Sequence, residues 1–434
     1  VVIGSGPAGL FCAYLLALEG YRPLVLERGA CVEERKKDVD RFWETGVLDP
    51  SSNVQFGEGG AGTFSDGKLN TLVKDKTGRN RFVLETFAKF GADKDILYAN
   101  KPHIGTDVLI DLVSQMRQEI ISLGGEFCFH TQVTDVDLTS KTLKLVHLSE
   151  NSAEEEVSAG AAVFAIGHSA RDTFEMLYKH QIPMRAKSFA VGIRIEHPQT
   201  LIDHSQYGRD RGNDLPAAAY KLTENLDNGR GVYTFCMCPG GYVVNASSEE
   251  HRLAVNGMSY HDRAGENANS AVIVTVTPDD FGSDHPLAGI SFQRSLEEKA
   301  YQAGQGKVPV QRFGDFKKDQ ITTSYGKVHS CMKGASVFGD VRGIFPEEIA
   351  QSLEDGITAM DHKIHGFADN DALLSGVESR TSSPVRIERD ENFVCASCDW
   401  IYPCGEGAGY AGGITSAAMD GMKVAEAIIQ KYKS

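Results

Sequence analysis

A glycine-rich segment near the start of the chain has the residue types and spacing that bind phosphate groups. Gly4, Gly6 and Gly9 form the pattern G-x-G-x-x-G between the β-branched run Val1–Ile3 and an apolar helical stretch that ends near Gly20. The first glycine permits a tight turn, the second admits a pyrophosphate close to the backbone, and the third lets the helix pack on the strand. The helix start adds unpaired N–H groups and partial positive charge. The pattern therefore predicts a dinucleotide site.

An acidic residue follows at the position that such a site requires. Glu27 ends the next predicted strand, Arg22–Glu27, and lies 18 residues after Gly9. A carboxylate there accepts hydrogen bonds from the 2′- and 3′-hydroxyls of a ribose and disfavours a 2′-phosphate. FAD and NAD both fit this unit, whereas NADP fits poorly as a permanent occupant. An ordinary glycine turn of an α/β protein is the alternative.

Two later segments favour FAD over NAD. The strand pattern Ala161–Gly167 resembles the second fingerprint of flavoproteins that bind two dinucleotides. Cys404–Ile414 resembles the carboxy-terminal flavin motif, with Glu406 at the place of the usual aspartate. An acid there can bind a ribityl hydroxyl, and the helix that follows can face the flavin N1/O2 edge, where reduction places negative charge. The sequence has no second G-x-G-x-x-G unit for NAD.

Six further motifs carry a resemblance to one family. Together with VIGSGPAG at Val2–Gly9, they are NVQFGEGGAGTFSDGKLN at Asn53–Asn70, AIGHSARDT at Ala165–Thr173, FAVGIRIEHP at Phe189–Pro198, FCMCPGG at Phe235–Gly241, ESRTSSPVRI at Glu378–Ile387 and YPCGEGAGYAGGITSAAMDG at Tyr402–Gly421. The chain resembles the uncharacterised FAD-dependent dehydrogenases, also called NAD(FAD)-utilizing dehydrogenases, which are similar to the glutathione-reductase-like flavoprotein superfamily. The resemblance implies an α/β fold, with a three-layer Rossmann-like FAD-binding domain and an inserted β-rich α+β substrate domain.

These motifs give a set of predicted FAD-binding residues. They are Gly4, Gly6, Pro7, Ala8, Gly9, Glu27, Arg28, Gly59, Gly60, Ala61, Gly62, Thr63, Asp66, Gly67, Val133, Ala165, Gly167, Gly405, Glu406, Gly412, Gly413 and Ile414. The small residues of the Gln55–Asn70 loop let backbone N–H groups reach a cofactor. A flexible surface lid is the alternative for this loop, and a plain strand residue is the alternative for Val133.

Two side chains are candidates for catalysis. Lys68 can orient water or stabilise reduced flavin, and Arg380 can bind a substrate carboxylate or the flavin O2 region. A solvated loop charge is the alternative for Lys68, and a fixed turn between domains is the alternative for Arg380. His168 is a further candidate for the cofactor edge, with a polar residue at a helix start as the alternative. Arg35 is explained equally by a surface helix charge and by an approach to the cofactor.

The cysteines allow several interpretations. Cys236 and Cys238 lie on a predicted strand, and Cys395 and Cys398 form a C-x2-C pair. Four such ligands can bind zinc, but separate buried thiols explain both pairs, and we predict no metal. A redox role for Cys236 or Cys238 is a hypothesis that rests on the family motif. The glycine-rich loop has no C-x4-C pair, so a disulfide-reductase mechanism of that kind is disfavoured.

Hydrophobic periodicity predicts the helices that position these motifs. The predicted helices are Glu33–Thr45, Arg79–Phe90, Asp107–Leu123, Leu287–Ala303, Pro346–Phe367 and Gly413–Lys431. Between about 188 and 277 strand patterns dominate instead. We therefore expect residues 1–186 and 376–434 to form the FAD-binding domain, and residues 187–375 to form the substrate domain.

Composition limits the partners of the protein. The 434 residues carry a formal net charge of −15, with 41% hydrophobic residues and 45 glycines. This balance gives no general attraction to nucleic acid, and no window is apolar enough for a membrane span. Nine scattered cysteines favour a reducing compartment. We expect a cytoplasmic protein, with an organelle address still open because the sequence begins without a methionine and its start looks trimmed.

These observations predict an FAD-dependent oxidoreductase, either a dehydrogenase or an oxidase. Hydride would pass to or from flavin N5, with a small molecule as substrate and NAD(P)H as a transient electron donor. The alternatives are an RNA-modifying flavoprotein, which the net charge disfavours, and a flavin-bound redox sensor or scaffold without turnover.

Overall fold

A five-stranded parallel sheet carries the amino-terminal glycine motif in the computed structural model, which describes residues 1–148, 152–212 and 214–433. With strands numbered along the chain, its order is β19 (Ile401–Pro403), β7 (Ala162–Phe164), β1 (Val2–Ile3), β2 (Leu24–Leu26) and β3 (Glu126–Cys128). All neighbouring pairs run parallel. The sheet therefore joins the two ends of the sequence, because β19 pairs directly with β7 beside β1.

A seven-stranded sheet forms the second large element. Its order is β10 (Thr223–Asn225), β11 (Gly231–Cys238), β14 (Asn267–Val276), β9 (Phe189–Pro198), β17 (Leu373–Glu378), β15 (Val308–Arg312) and β16 (Ser336–Phe338). Its pairs are antiparallel except β15 with β16. β9 and β14 are buried along nearly their whole length, which agrees with their apolar runs at 189–193 and 271–274.

Three smaller sheets complete the strands. They are β4 (Thr131–Asp137), β5 (Thr142–His147) and β6 (Glu154–Ser158) in one antiparallel sheet, β12 (Tyr242–Asn245) with β13 (Val255–Met258), and β8 (Met184–Ala186) with β18 (Val385–Ile387).

The described residues form ten α-helices, of which the sequence pattern predicts seven and misses three short ones, at 171–179, 199–207 and 313–316. They are α1 (Pro7–Leu18), α2 (Val32–Thr45), α3 (Arg79–Lys89), α4 (Thr106–Ser122), α5 (Arg171–Lys179), α6 (Gln199–Tyr207), α7 (Ala288–Ala303), α8 (Phe313–Phe316), α9 (Glu347–Met360) and α10 (Ile414–Tyr432). None of the helices within the described residues combines the length and apolar character that crossing a bilayer requires. The prediction of one helix over 346–367 was too long. α9 stops at Met360, and the Asp361 carboxylate then accepts the N–H groups of Gly366 and Ala368.

The core is divided by the two main sheets. One apolar cluster packs α1, α3, α4 and α10 on one face of the parallel sheet, and a second packs β4, β5 and α5 on the other face. A third lies around the seven-stranded sheet and includes α9. This layering confirms the predicted α/β class with a Rossmann-like unit.

Candidate functional site

Three glycine-rich stretches that are far apart in sequence meet at the carboxyl edge of the parallel sheet. A Cβ placed on Gly6 would lie 3.7 Å from the Cα of Gly60. A Cβ on Gly62 would lie 3.0 Å from Cγ1 of Ile414 and 3.9 Å from Cγ of Pro7. Gly62 thus lies between the first residues of α1 and α10. The amino-terminal turn, the internal loop and the carboxy-terminal motif form one continuous surface.

The glycines of this surface have different reasons to be glycine. A Cβ on Gly9 would overlap the carbonyl oxygen of Gly4, and a Cβ on Gly421 would overlap that of Ala8, so helix packing excludes side chains there. Gly6 instead has ordinary extended geometry (φ −70°, ψ −178°), and an added Cβ there would make only an ordinary contact with the Cα of Gly60. At Gly412 no described atom lies within 4 Å of an added Cβ. Packing within the protein therefore does not exclude a side chain at Gly6 or Gly412. A ligand lying against the backbone at these positions would exclude one and so require glycine.

Two helix starts face this surface without side-chain caps from the described residues. α1 begins with Pro7 after Gly6, and α10 begins with Ile414 after Gly413. The first N–H groups of a helix have no partner within the helix, and the helix dipole adds positive potential there. Both starts can therefore accept anionic or strongly polar groups.

Glu27 lies at the end of β2 as the sequence predicts, but its carboxylate already has protein partners. One oxygen accepts the N–H and the hydroxyl of Ser5 at 2.9 and 2.7 Å, and the other accepts the N–H groups of Gly29 and Gly57 at 2.9 and 3.1 Å. A carboxylate has about four acceptor positions. A ribose at Glu27 must therefore displace a donor, and the Ser5 hydroxyl can rotate away most easily.

Arg35 holds the internal glycine loop in shape. Its guanidinium is fully buried and donates to the carbonyl oxygens of five loop residues, namely Asn53, Val54, Gly57, Glu58 and Gly60. Burial lowers the pKa of Arg35 to about 10, so it stays protonated at neutral pH. The alternative of a surface charge is therefore wrong. Arg35 shares the apolar face of α2 with Val32, Val39 and Phe42, and a charge within an apolar stripe was the available signal.

Two buried polar groups near the glycine surface have no hydrogen-bond partner among the described residues. They are Oγ1 of Thr63 and Nδ1 of His168. Thr63 lies in the short 3₁₀ helix Ala61–Phe64, and His168 follows Gly167 after β7. Because buried polar atoms are nearly always paired, an additional partner at this surface would satisfy them.

His168 faces Glu406 across the surface, with 3.8 Å between Nε2 and the carboxylate. A Cβ on Gly407 would overlap the backbone of Gly167, so the two turns are in contact. Burial raises the pKa of Glu406 to about 7, opposed by Lys187. Burial lowers the pKa of His168 to about 3, and the charges of Arg380 and Arg171 lower it further. Both side chains are thus held toward their neutral forms.

Ala165 and Gly167 occupy the expected place beside the glycine turn. The N–H of Ala165 donates to the carbonyl of Ile3 at 2.9 Å, and the Ala165 carbonyl closes against Gly4. Gly405 has a positive φ of 74° and packs its Cα hydrogens toward Cβ of Ala8. These contacts hold the glycine surface in place relative to the parallel sheet.

Asp66 and Lys68 lie where the glycine loop meets the seven-stranded sheet. The buried Asp66 carboxylate pairs with Arg263 at 2.6 Å and Lys68 at 2.8 Å, and it also accepts the hydroxyl of Ser259. Lys68 and Arg263 hold the pKa of Asp66 below its usual value despite burial. Lys68 also donates to the carbonyl of Met237 on β11. Asp66 is therefore committed to this ion cluster, and Gly67 turns beside it against Gly105.

Arg380 lies in a buried ionic network instead of an open pocket. It donates to both oxygens of Glu297 at 2.9 and 2.8 Å, and the same carboxylate binds Arg171 at 2.8 and 2.7 Å. Arg171 also pairs with Glu249. Sequence reasoning missed Arg171 and Glu297, although Glu297 interrupts the apolar face of α7 just as Arg35 does on α2.

The remaining predicted residues lie toward the other end of the surface. Arg28 pairs with Asp172 at 2.7 Å and stacks over Phe56. Val133 is buried among core residues and pairs with Leu145 in the ladder of β4 and β5. Arg28 follows Glu27 directly, and β4 reaches Glu27 through Thr131, whose N–H donates to the Glu27 carbonyl at 2.9 Å. The contact of Arg28 and Val133 with a cofactor stays a prediction.

The two cysteine pairs lie in different elements. Cys236 and Cys238 stand at a bulge of β11, where Cys236 has a positive φ of 43° and Arg194 donates to its carbonyl at 2.8 Å. Cys395 and Cys398 lie in the loop before β19. Within the described residues, no group of three or more His, Cys, Asp or Glu side chains is arranged to hold a metal ion.

Comparisons with known proteins agree with this geometry. Residues 2–32 match the family model described as an NAD(P)-binding Rossmann-like domain, and residues 188–381 match the model described as FAD-dependent protein, C-terminal domain-like. The protein is an FAD-dependent flavoprotein with a Rossmann-like FAD-binding unit. It belongs to the same family as an uncharacterized protein of Clostridium beijerinckii, which is 49% identical over 436 residues, covering 100% of this chain and 81% of the relative.

Among solved structures the chain is similar to a flavoprotein/dehydrogenase from Cytophaga hutchinsonii, at 11% identity and a TM-score of 0.43, covering 100% of this chain and 78% of the other. It is also similar to a glycerol-3-phosphate dehydrogenase from Bacillus halodurans complexed with FAD, at 10% identity and a TM-score of 0.44, covering 100% and 64%. At these scores neither likeness bears on the activity of this chain.

The residues present fit FAD. Gly6 and Gly412, where packing within the protein does not exclude a Cβ, lie on one surface with the starts of α1 and α10 and with the Thr63 hydroxyl, which has no partner among the described residues. A long dinucleotide carries phosphate, hydroxyl and ring-edge groups one after another along its length. Backbone N–H donors suit these groups better than side chains do.

Proposed function

We propose that the chain is an oxidoreductase that holds FAD along its three glycine stretches and moves a hydride to or from flavin N5, with a small organic molecule as substrate. The start of α1 and Gly6 would hold the pyrophosphate, and Glu27 the adenosine ribose. Glu406, Gly412 and the start of α10 would hold the flavin end. This is the arrangement of the glutathione-reductase-like flavoproteins, and membership in that superfamily is part of the proposal.

The convergence of the glycine stretches carries this proposal. Gly62 lies between Pro7 and Ile414, although Gly62 and Ile414 are more than 340 positions apart in sequence. The turns that begin α1 and α10 do not themselves need Gly62. Two uncapped helix starts side by side are unfavourable unless something polar covers them. FAD supplies such groups at both ends of one molecule.

The chain's own residues can do three things in the reaction. The start of α10 would place positive potential near the ring end of a bound flavin, where reduction adds negative charge. Glu406 holds a proton on its carboxyl group up to about pH 7, so near neutral pH it can donate a hydrogen bond or accept one. Burial, together with the charges of Arg380 and Arg171, holds His168 neutral, so it presents an acceptor nitrogen to its surroundings. Bound FAD supplies the two-electron chemistry.

The region between the glycine loop and the seven-stranded sheet is the proposed substrate side. Lys68 is partly exposed there and lies beside the Cys236–Cys238 bulge. We therefore propose the division into an FAD-binding domain (1–186 and 376–434) and a substrate domain (187–375). The proposal includes NAD(P)H as a transient donor, which anaerobic mixing with NADH and NADPH, followed by a panel of metabolites, tests directly.

A matched pair of glycine variants tests FAD binding. Gly6→Val keeps an allowed backbone and places its Cβ in ordinary contact with Gly60, so it should fold, but it should lose FAD because its side chain fills the phosphate approach. Gly412→Ala, where no described atom lies within 4 Å of the added Cβ, should weaken FAD binding at the other end of the cofactor. Absorbance of the purified proteins and thermal unfolding without FAD provide the two readouts.

Colourless wild-type protein that takes up no added FAD would overturn the proposal. So would a folded Gly6→Val protein that binds FAD as tightly as the wild type. If FAD binds but no donor or substrate changes its redox state anaerobically, the hydride-transfer half of the proposal is wrong and a flavin-bound sensor replaces it.

A further inference from the structure

The loop before β19 contains two cysteines in a tight turn. The N–H of Cys398 donates to the carbonyl of Cys395 at 3.3 Å, and the N–H of Cys395 donates to the carbonyl of Ile401 at 2.8 Å. The Cys395 side chain is buried against the core that includes Trp400, while Cys398 is partly exposed. Both thiols are free. The turn thus holds two reduced sulfurs together, with one side open to solvent.

The turn also stabilises negative charge on sulfur. The Cys398 thiol and the Ser397 hydroxyl, 3.3 Å from the Cys395 sulfur, lower the pKa of Cys395 to about 6. The same interaction raises the pKa of Cys398. The two sulfurs therefore share one proton near neutral pH. At the Cys236–Cys238 bulge, burial instead raises the pKa of the Cys238 thiol, while Cys236 is exposed.

Metal binding does not explain this pair. A structural zinc site needs four ligands, usually two such pairs. The described residues provide no group of three or more possible ligands here or elsewhere. Shared-proton dithiols in a C-x2-C turn are, in contrast, suited to thiol–disulfide exchange, because a thiolate is the reacting species.

The turn is connected to the carboxy-terminal flavin motif through a chain of contacts. Cys395 forms a backbone bridge with Arg389. The Arg389 guanidinium pairs with both oxygens of Asp420 at 2.9 and 2.6 Å and donates to the carbonyl of Pro403 at 2.7 Å. Asp420 in turn accepts the N–H of Gly405 at 2.8 Å. A shift of Cys395 therefore acts on the residue that precedes Glu406.

We propose that Cys395 and Cys398 form a redox-active dithiol that closes to a disulfide with a small-molecule disulfide as oxidant, and that closing it loosens the cofactor end at Gly405. The Cys395 thiolate turns toward the open side and attacks the small disulfide, releasing one thiolate. Cys398 then gives its proton to solvent and displaces the second thiolate. Two protein thiols become one disulfide, and the small disulfide becomes two thiols. The effect on FAD rests on the proposed function, whereas the dithiol chemistry does not.

The experiment uses the full chain with FAD bound and glutathione disulfide as the probe. After acid quenching, alkylation and digestion, mass spectrometry should show the peptide that contains both cysteines lighter by two hydrogens and without alkyl groups. Cys395→Ser and Cys398→Ser should each form only a mixed disulfide or none. Ser397→Ala should close about three- to tenfold more slowly at pH 7, because the thiolate loses a hydrogen-bond donor. The matched control, Cys236→Ser with Cys238→Ser, should close like the wild type.

FAD release provides the second readout. The oxidised wild type should release FAD at least about threefold faster than the reduced protein, because Cys395 must leave its buried position for the sulfurs to bond. Cys398→Ser should show no such difference. Full alkylation of both cysteines at every glutathione ratio would overturn the dithiol. A disulfide that forms without changing FAD release would overturn the connection to Gly405, and failure of the wild type to bind FAD would instead reject the proposed function.

Discussion

Arg35, Arg171 and Arg380 are all buried, but their guanidinium groups have different kinds of partner. Arg35 donates to five backbone carbonyl oxygens of the glycine loop, whereas Arg171 and Arg380 share the carboxylate of Glu297. Backbone carbonyl groups hydrogen-bond the guanidinium of Arg35, so no carboxylate among the described residues has to contact it, although the charges of Glu27 and Glu58 still act on it. The ionic network places opposite charges in contact and positions His168 and the turn before β18. The first region is built to receive a ligand, and the second is built to fix two elements against each other.

Glu297→Gln should produce the largest loss of stability. Two buried guanidinium groups would lose their common counter-ion, which costs about 3–5 kcal/mol. Glu298 lies next to it on α7 but pairs with Arg252 on the surface. Glu298→Gln should therefore cost ~0–1 kcal/mol. Urea unfolding of both variants measures the difference, and equal losses would show that the network is not what holds α7.

Arg35→Lys should produce the next largest effect. An ammonium has three donors and cannot reach five carbonyl groups, so several would be left unsatisfied at a cost of about 2–4 kcal/mol. The glycine loop should loosen as well, so FAD affinity should fall together with stability. Lys36→Gln, which removes an exposed pair with Asp40, should change neither. If Arg35→Lys lost stability but kept full FAD affinity, the guanidinium would not shape the cofactor surface.

Glu406→Gln should change the pH dependence of stability without FAD. The pKa of Glu406 is raised from 4.5 to about 7, so the folded state disfavours the carboxylate. This penalty is absent below pH 4.5 and complete above about pH 7. The Gln variant should therefore match the wild type at pH 4.5 and be more stable by about 1–3 kcal/mol at pH 8.

His168→Gln provides the contrasting pH dependence. The pKa of His168 is lowered from 6.5 to about 3, so the folded protein loses stability as the pH falls through this range. The variant should gain stability relative to the wild type only below pH 6.5. Parallel thermal unfolding series separate the two residues, and identical profiles would mean that neither is buried as described.

Arg28→Gln should have the smallest effect on folding, ~0–1 kcal/mol, since its partner Asp172 is largely exposed. A larger effect on FAD affinity than on stability would assign Arg28 to the cofactor. Equal small effects would leave it as a surface contact between β2 and α5.

The sequence predicted the structure correctly where a short motif is compatible with only one local geometry. The strand, glycine turn, helix and acid within residues 1–27 needed no distant partner, and α4 follows its apolar period within one residue at each end. It failed for Arg35 and Glu297, because a polar residue on an apolar helix face shows only that a partner exists. Their partners lie between 18 and 126 positions away. It also overestimated α9, because the turn at Asp361 depends on side-chain contacts after the helix.

The sequence by itself determined the class of fold and which glycines belong together, because glycine turns and helix starts are local and have few alternatives. Only the tertiary structure decided which glycines are not required by packing within the protein, as is the case for Gly6 and Gly412. It also decided whether a buried charge is paired with backbone groups or with a carboxylate. These properties depend on what lies opposite each residue across the sheet. No local pattern encodes that, since long-range packing chooses the partner.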